Sequence, residues 1–364
     1  MFQLSIEFLS EATANEEAWH FESGHSDELL RRLLVFLAKE KKYCVRFVDQ
    51  SGVELSLKYL RRKFKIIRTW KEKLPSLEKP FLLLGYCCEK DVNFKALEDK
   101  KLQKLIGVVV LYTFGYFAEM PTELQAMAMR FTSVVLSIAH IRDFVADKHG
   151  RKLLGYLLKF QRKTDPEKQS AKAIRCLFES LNFLCATRSF QALMLAQREP
   201  YLYEVFLHSM TKFTECAKVK VQPDADDKKA QYEYEQLQFS ISVLLDGVAM
   251  LFDGGHSDAI DNSTSAAAQK EEADKQRDAR RKVMVGHFVR NKNIDKYMTL
   301  LRDYLRATNK RFKKVDAQDA TSEQNAKDTQ RYLGQLGKCV NVFTALARSA
   351  LAHPASDMYF GSFE

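Results

Sequence analysis

Two tetrapeptides place a hydroxyl beside an imidazole and a carboxylate: Gly24-His25-Ser26-Asp27 and Gly255-His256-Ser257-Asp258. Those are the groups of nucleophilic catalysis, in which a base takes the hydroxyl proton and a carboxylate orients the base. The spacing argues against that chemistry. Adjacent residues point in different directions instead of converging on a substrate, and neither copy has the second glycine of a nucleophile elbow. Helix capping or loop chemistry is the expectation for both. The eight histidines form no HExxH helix and no Cys/His zinc framework. No GxxxxGK[ST] and no strand-linked GxGxxG is present, so nucleotide chemistry lacks its usual phosphate cradle. No catalytic residue, metal ligand or cofactor is assigned, and the chain is expected not to be an enzyme.

Seven cysteines, an odd number without paired spacing, predict reduced thiols in a reducing compartment. The vicinal Cys87-Cys88 has the chemistry for a soft metal or a redox pair. Its plainer reading is two small hydrophobes in a buried helix, because free cysteine is among the most buried residue types.

The densest charge lies in Lys58 to Lys73, where eight of sixteen residues are Lys or Arg and only Glu72 opposes them. Tyr59, Phe64 and Trp70 are interleaved. Arg61, Arg62, Lys63, Lys65 and Arg68 are therefore candidate partner-binding residues, able to neutralise phosphates or to meet an acidic protein surface, including that of a cytoskeletal or other large assembly. The competing reading is that Leu60, Phe64, Ile67 and Trp70 form a buried helical face while the cations are merely solvated. Spacing near three and four residues explains the aromatics better by packing than by base stacking.

The elements that must position these groups read as helices. Gly and Pro number only 14 and 7, which suits helices joined by short turns. Ser26 and Asp27 open a helix with Leu29, Leu30, Leu33, Leu34 and Leu37 on one face. Phe2, Leu4, Ile6 and Phe8 alternate with polar residues, a period-two pattern that fits a short strand before a helical stretch. Pro75 and Pro80 close one helix and open the next, and Pro121 separates two more. The apolar windows Phe81 to Cys88 and Ile106 to Ala118 are too short for a bilayer crossing of roughly 20 residues, so no membrane is expected among the partners. Glu7, Glu11, Glu16 and Glu17 are acidic where a leader would be basic, so the expected address is cytoplasmic, with a nuclear or assembly-bound pool open.

A unit of roughly 40 residues runs from Ala171 to Met210: a helix around Cys176 to Ala186, a second from Arg188 to Gln197, and a third headed by Pro200. Similar patterns stand at Val135 to Leu158, where Ser137 takes the place of Asn182, and at Val45 to Leu60. Gly52 and Gly150, 98 residues apart, head the last segments of those two copies. A single unit cannot bury its own apolar side, so neighbours must stack. With Phe178 four residues before Asn182, the pattern resembles that of armadillo repeats.

The resemblance implies an all-α, right-handed superhelical solenoid of stacked repeats, irregular in the C-terminal third. It implies a protein–protein interaction scaffold or adaptor subunit that grips a partner segment in a groove, with Ser137, Phe178 and Asn182 as groove candidates. The alternative is a basic solenoid associated with RNA or a ribonucleoprotein particle, in keeping with the net charge of +10 and pI near 9.1. The expected organisation is a cap over 1–26, repeats over 27–217, a linker over 218–228, a helix over 229–252, a disordered loop over 253–276, further repeats over 277–352 and a tail over 353–364.

Overall fold

The computed structural model describes residues 2–14, 24–67, 76–89, 97–160, 170–196, 227–252, 302–306 and 323–351, with a few isolated positions between 275 and 310. Every regular element among the described residues is helical and none is a strand. In chain order the main helices are α1 (Phe2–Ala14), α2 (Gly24–Lys39), α3 (Lys41–Asp49), α4 (Gly52–Ile67), α5 (Glu78–Glu89) and α6 (Gln103–Tyr116). Then follow α7 (Thr122–Ser137), α8 (Ala139–Phe160), α9 (Ala171–Cys185), α10 (Arg188–Leu195), α11 (Lys228–Phe252) and α12 (Glu323–Leu351). The chain divides into two compact units, Met1–Tyr156 and Leu157–Glu364.

In the N-terminal unit α1 packs on α2 and α4, α4 on α5 and α6, and α5 on α7. Phe64 of α4 ties these helices together. Its ring stands edge-on to Phe81 of α5 at 6.2 Å and stacks on Tyr112 and Tyr116 of α6 at 5.3 and 6.0 Å. Phe81 passes the contact to Phe131 of α7. Leu60, Phe64 and Ile67 are wholly buried, as the three-and-four spacing predicted.

The amino-terminal alternation does not give a strand. Ile6 and Leu9 are buried with Ser5 on one side of a helix, and Leu4 is left 53% exposed. Spacing from Phe2 to Ile6 to Leu9 is itself a helical period, and packing against α2 and α4 selects it over the period-two pattern.

Two corners shape this unit. Between α3 and α4, Ser51 adopts a left-handed φ of 58° and its amide donates to the Val48 carbonyl at 2.9 Å, which ends α3. The Phe47 ring then lies against Gly52 so closely that a Cβ there would sit 2.4 Å from ring carbons and 2.6 Å from the Phe47 carbonyl oxygen. Only glycine fits that approach. Between α7 and α8, Ile138 is extended at φ −79° and ψ 115°, and the two helices meet at 107°. Pro121 precedes α7, and Pro80 lies in the first turn of α5, where a missing N–H costs nothing.

Gly150, expected at the head of a separate segment, lies inside the continuous 22-residue helix α8. A lone glycine weakens a helix interior without ending it when the flanking turns pack well. The equivalence of Gly52 and Gly150 therefore has no counterpart in local structure.

In the C-terminal unit α9 packs on α10 and α11, and α11 packs on α12. The first two segments of the 40-residue unit are α9 and α10, and the helix expected over 229–252 is α11. The segment from Pro200 to Met210, the stretches 253–274 and 353–364, Arg68, Trp70 and Cys216 lie outside the described residues, as do the side chains of Cys87 and Cys88. Among the described residues no single helix is long and apolar enough to cross a membrane.

Candidate functional site

Ser137 is exposed at the end of α7, and its hydroxyl donates to the Val134 carbonyl of its own helix at 2.7 Å. Phe178 is wholly buried, so it has no surface to offer a ligand. Asn182, one turn further along α9, is turned toward α11: its Nδ2 donates to the Val243 carbonyl at 3.0 Å. The spacing that resembled a ligand ladder is used to fasten one helix to another. Burial of the α9 face by α11, which no local pattern in α9 reveals, is the physical reason.

Helix α4 sorts its cations into different environments. Lys63 is buried with its ammonium 5.5 Å from the centre of the Tyr59 ring, a cation–π contact, and Arg62 donates to the Ala12 carbonyl in the last turn of α1. Lys58 pairs with Glu54 at 2.8 Å. Arg61 and Lys65 are exposed on the same face, and among the described residues no carboxylate forms an ion pair with either. The contrast with α2 is instructive. There Arg31 and then Arg32 donate to Glu28 at 2.8 and 2.6 Å and hold its carboxyl down to about 2, so one of their two charges is matched within the helix.

A cleft of about 570 Å³ opens beside α1 and α3. Phe2, Phe36 and Tyr43 line it with ring centres 5.1 to 6.1 Å apart. Those rings touch one another and leave no gap for a cation between them.

A second cleft, about 480 Å³, lies between α11 and α12, a volume in the range of ligand sites. Gln238 of α11 and Gln335 of α12 line it while being 1% and 3% exposed, so they make its floor. Gln335 Nε2 donates to the Gln238 side-chain oxygen at 3.2 Å. Gln335 Oε1 and Gln238 Nε2 have no partner among the described residues. Glu235 and Phe239 contribute to the α11 wall, and Arg331, Gly334 and Lys338 to the α12 wall. Phe239 is 47% exposed, with the Arg175 guanidinium 5.7 Å from its ring centre. Lys338 reaches across to Asp246 at 2.5 Å.

The outer face of α12 continues this region. From Gln330 to Thr344 the exposed residues among those described are Gln330, Leu333, Gly334, Gly337, Val340, Asn341 and Thr344, none of them charged. Among the described residues, a Cβ at Gly334 or Gly337 would meet nothing within 4 Å.

The thiols are placed for packing. Burial pushes Cys176 up to about 11 and Cys339 to about 12, and pushes Cys185, which touches Met194 sulfur at 3.7 Å, higher still. A neutral thiol held that far above neutrality is a poor nucleophile. Among the described residues no three His, Cys, Asp or Glu side chains stand together as a metal would require. The chain matches no protein family, no curated protein and no solved structure.

Proposed function

We propose that this chain is a non-enzymatic protein–protein interaction scaffold or adaptor subunit of a larger assembly, built from armadillo-like stacked helices. The observation that supports it best is the outer face of α12, where Leu333 and Val340 stand 52% and 56% exposed among uncharged neighbours. Two large apolar side chains two turns apart, flanked by glycines and uncharged polar residues, form a surface that a protein partner can cover without desolvating a charge. The partner surface in this reading is the α11–α12 region, because the Asn182 amide is already held by α11.

Affinity capture of the full chain from cell extract, followed by crosslinking, tests the proposal. The expected result is a fixed, stoichiometric set of co-purifying proteins that survives nuclease treatment and crosslinks through Lys338. Capture that vanishes with nuclease, or crosslinks confined to α4, would instead favour RNA. That second reading draws on Arg61 and Lys65, exposed together on α4 in a chain of net charge +10. It predicts retention on RNA with steep salt dependence, abolished when both residues become glutamate.

A further inference from the structure

The α11–α12 cleft and the exposed face of α12 beside it hold two features that packing within the described residues does not explain. Gly334 and Gly337 sit in the middle of a 29-residue helix with open space where their side chains would be. Glycine weakens a helix interior relative to alanine. Where no neighbour among the described residues forbids a methyl, its value is to let something else approach the helix closely. Beside that gap lies the Gln238–Gln335 pair, in which Gln335 Nε2 donates to the Gln238 side-chain and main-chain oxygens at 3.2 and 3.5 Å, leaving the Gln335 Oε1 acceptor and the Gln238 Nε2 donor group without a partner among the described residues. The last torsion of a glutamine side chain is broad, so a modest turn presents both atoms to the cleft.

One donor and one acceptor at neighbouring positions complement a secondary amide, whose N–H and C=O are the mirror requirement. A docked helix cannot supply them, because its main-chain groups are spent on its own hydrogen bonds. A polyanion fits poorly as well: Lys338 is paired with Asp246, and Glu235 lines the same cleft. With Lys338 paired to Asp246, the walls still differ in charge, Glu235 standing on α11 and Arg331 on α12. Successive side chains of an extended chain point to opposite sides, so such a ligand can send an acidic residue to one wall and a basic residue to the other.

We propose that the α11–α12 cleft receives an extended peptide segment of a partner protein, its amides paired with Gln238 and Gln335 and its main chain crossing Gly334 in the cleft wall and running on over Gly337 of the adjoining exposed face. This rests on the scaffold reading and names the form of the partner. A segment alternating acidic and basic residues fits best.

The probe is a displayed library of random linear peptides, panned against the full chain. Binders enriched in acid–base alternation are expected. The double variant Gly334→Ala/Gly337→Ala should weaken them at least roughly tenfold while raising the melting temperature, a pairing that damage to the fold cannot produce. Gln238→Leu/Gln335→Leu should weaken them by a similar factor, as should N-methylation of one central peptide amide.

Binders unaffected by both variants would sink the cleft and leave the scaffold standing. No binder at all, together with no stoichiometric partner in the capture, would sink both. Concentration-dependent self-association in sedimentation velocity, broken by the glycine variant, would assign the face to a second copy and overturn the peptide.

Discussion

Helices α4 and α12 each bury one face and turn the other to water, and their outer faces differ in kind. On α4 the exposed positions are Lys58, Arg61 and Lys65; along α12 from Gln330 to Thr344 they carry no charge. A cationic face is stable in water by itself, since ammonium and guanidinium groups stay hydrated and mobile. An uncharged face with a leucine, a valine and two glycines forgoes that hydration and weakens its own helix. The more conspicuous stretch of the sequence is therefore the weaker indicator of a partner. Solvation already accounts for α4, whereas α12 has features that packing among the described residues leaves unexplained.

The largest expected effect lies on the inner side of α4. Phe64→Ala removes the ring joining α4, α5 and α6 and should cost about 3–5 kcal/mol, read as lost hydrogen-exchange protection of α5 and α6 amides. Protection that survives would mean α4 is held by its outer side after all. Next comes the polar floor beside α12. Gln335→Leu alone strands the Gln238 amide and should destabilise the α11–α12 contact by about 1–3 kcal/mol, whereas adding Gln238→Leu should recover most of that loss.

A third test uses pH. Burial first, then Glu179, raises the Cys176 thiol to about 11, so the folded state resists its ionisation. That stability is intact below the ordinary thiol value of 9.0 and is lost as pH climbs through about 11, because only the unfolded chain releases the proton readily. Alkaline unfolding of the C-terminal unit should be less steep in Cys176→Ala.

Smaller still, Gly334→Ala and Gly337→Ala should each stabilise α12 by about 0.4–1 kcal/mol in thermal melts. Destabilisation there would mean that the glycines serve the fold rather than an approach to it. Last, Arg61→Glu with Lys65→Glu should change stability by no more than about 0.5 kcal/mol, with any consequence confined to binding of an anionic partner.

The inner face of α4 was legible because helical spacing and burial coincide along a single helix, as they do for Leu60, Phe64 and Ile67. Pro80 and Pro121 were legible because a missing N–H restricts proline wherever it occurs. Lys63 was not: its burial depends on the Tyr59 ring and the neighbouring helices, while its type pointed to solvent. Asn182 stood in a local pattern that resembled a ligand site, and its partner was set instead by the helix packed against it. Gln238 and Gln335 stand 97 residues apart and carry no local signal that they meet. The one trace of that region readable from the chain was the run of uncharged residues at 330, 333, 337, 340 and 344, spaced in threes and fours.

The close fit of Phe47 over Gly52 bears on how the chain reaches its native state. The two residues are five apart, so closing that contact costs little chain entropy, whereas uniting α11 with α12 requires a loop of 97 residues between Gln238 and Gln335 to close. In refolding, the α3–α4 corner is thus a nucleus available within the earliest local events, and the amide floor belongs to a slow, late step.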